Sequence, residues 1–365
     1  MEKIKLGDLC NPCQGQIKVQ PGTIIDYIDI SSIDNNSKTV SGYQTMTFAE
    51  APSRARKAVK KGNILVSTVR PNLNAVAIVE DSTPNMTVAS TGFCVLDCKE
   101  NVDKRFVLNF CKSKAFIDEM VAQATGASYP AVSDKIVRAA SVPSYSFHDQ
   151  IKIGEILDKV TLIIAKRKSE LTYLDNLVKA RFVELFGDPI SNSKNLETKS
   201  LNEIMILKAG DFTAASAISD TLTETHRYPC YGGNGIRGFV AEYNQEGEYS
   251  LIGRQGALSG NVQYAKGRFK NTEHALLVTP KIQMNSIWLN QLLINLELKR
   301  FQTGAAQPGL SVKNLQDIPI ITVSIEKQNR FADFVAKIDK SKATVRRSLD
   351  ENQKLFDGLM QQYFG

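Results

Sequence analysis

The sequence predicts an α+β protein that is built twice: two mixed α/β domains separated by two long antiparallel helices, which form an intramolecular coiled coil with pseudo-two-fold symmetry. The first observation behind this fold class is an internal repeat, because residues 125–187 recur in degenerate form as residues 303–365. The second is that each copy ends in a long, proline-free stretch with helical apolar spacing. A chain of 365 residues also exceeds what one hydrophobic core usually serves.

The two copies of the repeat match at their best-marked positions. Each opens on Thr-Gly-Ala, at 125–127 and 303–305, and closes on Phe-Gly, at 186–187 and 364–365, always 178 positions apart (303 − 125). Between these marks the same residue types recur: Pro130, Ser133 and Lys135, then Pro308, Ser311 and Lys313. Such a repeat indicates one structural unit used twice. The predicted segments are a first domain at 1–147, a central helix at 148–190, a second domain at 191–324 and a C-terminal helix at 325–365.

Composition narrows the function classes. The net charge of +7 and the isoelectric point near 8.9 favour an anionic partner. No window reaches the roughly 18 uninterrupted apolar residues of a membrane span, and the N-terminus lacks the apolar core of a signal peptide. We therefore expect a cytoplasmic protein with no membrane partner.

The six cysteines allow two interpretations. Cys10, Cys13, Cys94 and Cys98 are numerous enough for a four-thiolate zinc site, although the spacing of the second pair is looser than usual. Reduced thiols are the ordinary state of cysteines in the cytosol. The sequence favours reduced thiols and predicts no metal in this chain.

Apolar residues recur every three or four positions along both long stretches. In the first they are Ile153, Leu157, Val160, Ile164, Leu171, Leu174, Val178 and Leu185, with Arg167 and Arg181 interrupting. In the second they are Phe331, Val335, Ile338, Val345, Leu349, Phe356, Leu359 and Tyr363, with Lys342 and Asn352 interrupting. This spacing predicts helices over 148–186 and 326–364, each nearly 60 Å long at about 1.5 Å per residue. Separate surface helices would leave too much apolar surface exposed, so antiparallel pairing is the favoured interpretation.

Both globular segments contain a strand, a polar turn led by arginine, and a second strand. In the first segment the predicted strands are 62–69 and 75–79, around the turn at 70–74. In the second they are 249–253 and 260–264, around the turn at 254–259. Helices are expected over 104–124 and 287–302.

Polar turns between strands are favourable places for side chains that read bases, because a rigid sheet holds them in position. Arginine suits bidentate contact with guanine, and asparagine or glutamine with adenine. The candidates from the two turns are Arg70, Asn72, Asn74, Arg254, Gln255 and Asn261. A basic run that could lie along phosphates comprises Arg54, Arg56, Lys57, Lys60 and Lys61. A glycine-rich stretch at 231–238 adds Tyr231, Asn234 and Arg237, and its glycines would let the backbone approach a sugar-phosphate strand.

Each of these patterns also has a structural explanation. The basic run could be a solvated face, and the glycine-rich stretch could be a tight hairpin. The phosphate-binding loop of ATP-driven motors does not occur in the sequence, and nothing beside Asn11-Pro12 would hold S-adenosylmethionine. The three histidines, His148, His226 and His274, are scattered and are not expected to be catalytic. The residues therefore favour a DNA-binding module over an enzyme.

These motifs together resemble the specificity (S) subunit of type I restriction-modification systems, over essentially the whole chain. The resemblance rests on the two Thr-Gly-Ala segments, the prolines at Val142-Pro143 and Ile318-Pro319, Gln150 and Gln328 at the helix starts, and the Phe-Gly helix ends. The stretches 231–238, 252–257 and 272–275 also look like a recurrent type of target-recognition domain in that family. Base contacts diverge too much in this family to be carried over.

The resemblance implies a subunit that is not itself an enzyme. Each target-recognition domain would read one half of a split double-stranded DNA site, and the helices would set the unread gap and dock two methyltransferase subunits. Restriction would need motor-nuclease subunits, and S-adenosylmethionine, ATP and magnesium would serve those partners, with no cofactor in this chain. One alternative is a recognition subunit of another restriction or methylation system, with cleavage and methylation on one partner polypeptide. Another is a self-contained nuclease or methyltransferase.

Overall fold

A computed structural model describes residues 2–13, 15–81, 83–304 and 308–365 of the chain, so Ala305 of the predicted repeat lies outside the described residues. The chain divides into two compact units. Unit 1 comprises Met1–Lys168 and Arg347–Gly365, and unit 2 comprises Ser169–Arg346. The division falls inside both long helices, because each helix contributes one end to each unit.

Unit 1 contains mixed strands and helices. Its strands are β1 (Lys3–Lys5), β2 (Ile24–Ile28), β3 (Ile33–Asp34), β4 (Thr39–Val40), β5 (Gln44–Thr47), β6 (Ala55–Ala58), β7 (Ile64–Ser67), β8 (Val76–Ile78), β9 (Met86–Ser90), β10 (Phe93–Leu96) and β11 (Ser141–Pro143). Its helices are α1 (Lys104–Lys112), α2 (Lys114–Gln123), α3 (Asp134–Ala139) and the first part of α4 (Phe147–Phe186). The strands form sheets in the orders β10-β7-β8-β4-β3, β5-β2-β9-β6 and β1-β11. The single helix expected over 104–124 is divided at Ser113, whose hydroxyl accepts from the Phe116 N–H at 3.2 Å and so begins a new helix.

Unit 2 is built around one larger sheet. Its strands are β12 (Thr198–Ser200), β13 (Met205–Ala209), β14 (Tyr228–Gly232), β15 (Gly235–Val240), β16 (Gln245–Gly253), β17 (Val262–Asn271), β18 (Ala275–Pro280) and β19 (Pro319–Ile321). Its helices are α5 (Leu201–Ile204), α6 (Ser286–Asn295), α7 (Val312–Leu315) and the first part of α8 (Ile325–Phe364). Six strands pair in the order β13-β18-β16-β17-β14-β15, and β12 pairs with β19. The strands predicted over 249–253 and 260–264 lie within or overlap β16 and β17.

The sequence repeat is also a repeat of local structure. A β-bridge joins Thr125 to Ala131 in unit 1, and another joins Thr303 to Gly309 in unit 2. The serine that follows caps a short helix in both places, since Ser133 accepts from the Ile136 N–H and Ser311 from the Asn314 N–H, each at 3.3 Å. The strand after that helix pairs with β1 in unit 1 and with β12 in unit 2.

A buried glutamine near the start of each long helix makes the same two hydrogen bonds. Gln150 Oε1 accepts from the Asp103 N–H at 3.1 Å, and its Nε2 donates to the Tyr145 carbonyl at 3.0 Å. Gln328 Oε1 accepts from the Asn285 N–H at 2.8 Å, and its Nε2 donates to the Val323 carbonyl at 2.9 Å. Asp103 and Asn285 are the N-cap residues of α1 and α6. The duplication therefore extends to the buried polar groups that join each long helix to a domain helix.

The two long helices, of 40 residues each, pair in antiparallel fashion within each unit. In unit 1, Ile153 and Leu157 near the start of α4 share a core with Phe364 at the end of α8. In unit 2, Phe182 near the end of α4 packs on Phe331 near the start of α8, with ring centroids 5.5 Å apart. The predicted fold class is thus confirmed. Within the described ranges, no helix is long and apolar enough to cross a membrane.

The predicted apolar spacing of α4 is wrong at its C-terminal end. Phe182 and Phe186 are buried there, whereas Leu185 is 37% exposed and Arg181 is only partly covered. The reason is that this end packs on the domain core, with Phe186 6.0 Å from the Trp288 ring, so its buried face follows a spacing of about four residues and not the tighter coiled-coil repeat. Lys342, which interrupts the apolar spacing of α8, forms an ion pair with α4: its ammonium lies 2.6 Å from the Asp175 carboxylate.

Candidate nucleic-acid interface

In unit 1 the turn between β7 and β8 presents an arginine beside an exposed aromatic ring. Arg70 adopts a left-handed backbone conformation, with φ of 49°, and its N–H donates to the Pro130 carbonyl at 2.7 Å. Its guanidinium lies 4.8 Å from the centroid of the Tyr129 ring, which is 68% exposed. A guanidinium stacked on an aromatic ring loses little conformational freedom and keeps its donors available. Arg70 and the neighbouring exposed Asn72 therefore remain at the surface.

Asn74 at the other end of this turn lies inside the unit. It is 9% exposed, and its Nδ2 donates to the Cys111 carbonyl at the end of α1, at 2.8 Å. It also adopts a left-handed conformation, which asparagine tolerates better than most residues. Asn74 thus joins the turn to α1, and its buried amide is not presented to a groove.

The basic run does not form one continuous stripe. A β-bulge in β6 falls at Arg56, and such bulges change the direction of the side chains around them. The Lys57 ammonium lies between the Phe93 carbonyl at 2.6 Å and the Asp134 carboxylate at 2.5 Å, and the side chain is 18% exposed. Arg56 lies over the Phe48 ring at 5.0 Å, and Lys60 is 3.1 Å from the Asp97 carboxylate. The exposed members of the run are Arg54, Lys60 and Lys61.

The glycine-rich stretch of unit 2 forms the hairpin of β14 and β15, turning at Gly233 and Asn234. Tyr231 on this hairpin is 9% exposed and packs edge-on against Phe269, with centroids 5.4 Å apart, so it belongs to the core. Asn234 and Arg237 are exposed. The hairpin interpretation therefore describes the backbone, and Asn234 and Arg237 are the members whose side chains reach the surface.

Two glycines of this region allow two backbone segments of unit 2 to lie close together. A Cβ added to Gly253 would lie 2.1 Å from the Gly233 carbonyl oxygen, so the hairpin turn and the end of β16 touch through their backbones. This approach brings Asn261 Nδ2 within 2.8 Å of Asn234 Oδ1. Gly233 and Gly253 thus let the hairpin turn lie against the end of β16.

The turn after β16 gathers polar side chains from distant parts of unit 2. Arg254 Nη1 donates to the Glu273 carbonyl at 3.4 Å, and Gln255 Oε1 lies 2.7 Å from His274 Nδ1. His274 Nε2 lies 3.1 Å from a Glu273 carboxylate oxygen. A groove of about 330 Å³ beside Arg254 and Gln255 is completed by the repeated turn around Pro308. Sequence reasoning did not place His274 in this cluster, although its Thr-Glu-His-Ala context had marked this stretch.

One exposed aromatic residue next to this cluster was also missed. Phe212 is 79% exposed, and the following Thr213 N–H donates to the Glu273 carboxylate at 3.2 Å. An apolar side chain in this position is suited to contact with a thymine methyl group or a base step. Its flanking residues, Asp211 and Thr213, gave no sequence pattern that would have identified it.

The two arginine-led turns do not correspond residue for residue. The Arg70 N–H donates to the Pro130 carbonyl, and the N–H that donates to the equivalent Pro308 carbonyl is that of Gly256, at 2.9 Å. Arg254 instead matches Thr68, because their carbonyls accept from Leu310 and Val132 N–H groups, both at 2.8 Å. The turns correspond as predicted, but the arginines are two positions out of register.

The cysteines are all free thiols. Cys10 and Cys98 face each other across a β-bridge, whereas Cys13 is exposed. Burial raises the pKa of the Cys94 and Cys111 thiols, which makes them unreactive at neutral pH. Across the described part of the chain, three or more possible metal ligands do not come together.

Comparison with known sequences finds similarity to DNA specificity proteins. A family model for the type I restriction modification DNA specificity domain matches residues 193–351. The EcoprrI type I restriction enzyme specificity subunit of Escherichia coli is 38% identical over 201 residues, which cover 54% of this chain and 50% of that protein. The HindI specificity subunit of Haemophilus influenzae is 26% identical over 230 residues, covering 61% and 48%. The chain thus spans about half the length of the curated relatives it matches.

Two solved structures share the fold over the whole chain. One, from work on complex assembly and conformational transition of the type I R-M system, has a TM-score of 0.63 and 22% identity, covering 100% of this chain and 97% of that one. The other is the S subunit of a type I restriction-modification system from M. genitalium, with a TM-score of 0.61 and 17% identity, covering 100% and 96%. At these identities the likeness concerns the fold.

Proposed function

We propose that this chain is a type I restriction-modification specificity subunit that recognises double-stranded DNA, with each unit reading one half of a bipartite target. The observation that carries the proposal is the polar turn found once in each unit. In both, the backbone of that turn is hydrogen-bonded to the repeated segment, at Pro130 in unit 1 and at Pro308 in unit 2. A duplicated, rigidly anchored turn is a suitable support for two independent sets of base contacts.

The side chains that reach the surface set the chemistry of this recognition. Arginine reads guanine, and asparagine or glutamine reads adenine, through paired hydrogen bonds in the major groove. The proposed base contacts are Arg70, Asn72, Asn234, Arg237, Arg254, Gln255 and Asn261. The exposed Arg54, Lys60 and Lys61 would contact phosphates, and the net charge of +7 makes the affinity fall as salt rises.

The partners follow from the same proposal. The paired helices set the unread gap between the half-sites and dock methyltransferase subunits, two in number, and restriction is carried out by motor-nuclease subunits. S-adenosylmethionine, ATP and magnesium act in those partners, and this chain contributes recognition without catalysis. It works where the chromosome lies, in the cytoplasm.

A direct test is genome-wide mapping of methylated positions in cells with and without this gene. We expect one split sequence motif to lose its methylation when the gene is absent. Arg254→Ala should relax the motif in one half while the other half stays intact. An unchanged methylation map after deletion contradicts the proposal, and so does purified chain that methylates or cuts DNA unaided.

The helix lengths provide a second test. Removing seven residues from α4 between Leu157 and Leu177, together with the matching seven from α8, shortens each helix by roughly 10 Å, the length of about three base pairs. We expect the mapped gap to change while both half-sequences are kept. A matched control replaces seven exposed residues of the same stretch without changing its length. An unchanged gap would remove the helices from this role.

A second candidate function keeps DNA recognition but changes the partner. The chain would serve a system in which cleavage and methylation share one polypeptide. Tagged chain isolated from its own cells distinguishes the two, because the first candidate requires separate methyltransferase and motor-nuclease polypeptides to accompany it.

A further inference from the structure

His274 lies between two side chains that each present an oxygen to its ring. Its Nδ1 is 2.7 Å from Gln255 Oε1, and its Nε2 is 3.1 Å from a Glu273 carboxylate oxygen. The carboxylate accepts hydrogen bonds only, so Nε2 must carry a proton to make its contact. When Gln255 Oε1 is the atom that faces Nδ1, both ring nitrogens carry protons, which is the charged imidazolium form.

The neutral ring requires the opposite orientation of the glutamine amide. When Nε2 keeps its proton for Glu273, the neutral Nδ1 has a lone pair and accepts. Gln255 then satisfies the ring only by turning its amide through 180°, so that Nε2 of Gln255 donates to Nδ1. This rotation exchanges the outward atom: the amide NH₂ faces outward beside the imidazolium, and the carbonyl oxygen faces outward beside the neutral ring.

Contacts with neighbouring residues fix Glu273 beside His274. Glu273 is fixed by the Thr213 N–H, which donates to its second carboxylate oxygen at 3.2 Å. Arg254, the nearest cation on the same turn, donates to the Glu273 carbonyl. The Asp211 carboxylate on the adjacent segment lies 3.3 Å from the Lys270 ammonium and is thereby paired. Glu273 is therefore the acidic group that faces the ring directly, and the exposed Gln255 is the other side chain that contacts it.

We propose that His274 is a positioning residue whose protonation state selects which end of the Gln255 amide is presented to DNA. The inference rests on the proposed function, since it requires unit 2 to read bases. An outward NH₂ selects a base edge with an acceptor, such as guanine O6 or adenine N7, and an outward oxygen selects an amino group, such as adenine N6 or cytosine N4. The base preference at one position of one half-site then depends on pH.

The test measures discrimination at single base pairs by the full-length chain, purified with the subunits that accompany it. Duplexes carrying the mapped target, single-base-pair variants of it and a scrambled sequence compete for binding at fixed salt. Measurements are made at about pH 5.5 and about pH 8.5, the range in which histidine side chains change charge. We expect the preference at one base pair to change by about fivefold to tenfold between the two pH values, as exchange of one base hydrogen bond would produce.

Three variants test whether this change depends on His274, Glu273 and Gln255. His274→Asn, which cannot take up a proton, should show the same preference at both pH values. Glu273→Gln presents an amide donor to the ring, so the neutral ring can place its proton on Nδ1 and keep Gln255 Oε1 inward. Its preference should therefore stay at the low-pH value throughout. Gln255→Ala should lose discrimination at that base pair at both pH values. The control His226→Asn alters an exposed part of unit 2 and should behave as the wild type.

Each outcome has a defined meaning. A wild-type preference that is the same at both pH values overturns the role of His274, and so does a pH-dependent change that survives in His274→Asn. Failure of the proposed function gives a different result, because the wild type would then bind the target and the scrambled duplex equally at every pH.

Discussion

The turn after β7 in unit 1 and the turn after β16 in unit 2 occupy the same place but present different chemistry. Both donate a backbone N–H to the equivalent proline carbonyl of the repeat, at Pro130 and Pro308. The donor is Arg70 in one unit and Gly256 in the other. Backbone hydrogen bonds do not depend on which side chain the residue carries. The scaffold is therefore kept while the side chains that reach the surface differ.

The two turns also differ in what supports their exposed side chains. Arg70 rests on the ring of Tyr129, a contact between neighbouring surface residues. Arg254 and Gln255 are instead held by Glu273 and His274 of a separate segment. One set is stabilised by stacking and the other by a hydrogen-bond chain.

The largest expected effect tests whether the two cores are equivalent. Phe186→Ala in unit 2 and Phe364→Ala in unit 1 each remove a fully buried ring that closes a domain core. We expect each to lower the free energy of unfolding by about 3–5 kcal/mol, measured by urea denaturation. The exposed Leu355→Ala should change it by less than about 0.5 kcal/mol. A small loss for one phenylalanine alone would show that the duplication does not extend to the cores.

A smaller effect separates the two reading turns. Arg70→Ala and Arg254→Ala should each cost about 1–3 kcal/mol in discrimination, because each removes donors suited to a guanine edge. We expect the loss to be confined to one half-site for Arg70 and to the other for Arg254, measured by competition between single-base-pair variants. Uniform weakening across all duplexes would instead identify a phosphate contact.

The smallest effect concerns a carboxylate network found where α6 meets the sheet of unit 2. Glu248 accepts from Tyr264 at 2.7 Å and from Ser286 at 3.0 Å, and it lies 2.7 Å from the Lys266 ammonium. These contacts, led by that of Lys266, lower the pKa of Glu248 to about 2. Burial raises the pKa of Tyr264 to about 12. The corresponding start of α1 carries a different pair, Asp103 with Arg105 at 2.9 Å.

Since the folded pKa of Glu248 lies below its unfolded value of about 4.3, its contribution is present above that pH and is lost as the pH falls towards about 2. Glu248→Gln should therefore be less stable than the wild type near neutral pH, with the difference disappearing near pH 2. The difference should stay below about 1 kcal/mol, because the side chain is 38% exposed. Thermal unfolding across this pH range measures it. An equal difference at all pH values would assign the effect to shape and not to charge.

The sequence determined the features that are written in local patterns. The repeat, the paired helices and the strand-turn-strand blocks follow from periodicity and spacing, and α4 and α8 begin within one residue of their predicted starts. The resemblance that named the family rests on the same short motifs. Such patterns are readable because a helix or a strand imposes its own period on the residues that it contains.

Tertiary structure decided which of the candidate side chains reach the surface. Asn74, Lys57 and Tyr231 looked like recognition residues, but contacts with Cys111, Asp134 and Phe269 draw them into the fold. The proximity of His274 to Gln255 and the register of Arg70 against Gly256 likewise depend on segments far apart in the chain. Sequence spacing carries no record of such distances, because they arise only when separate strands and turns are brought together by burial of a shared core.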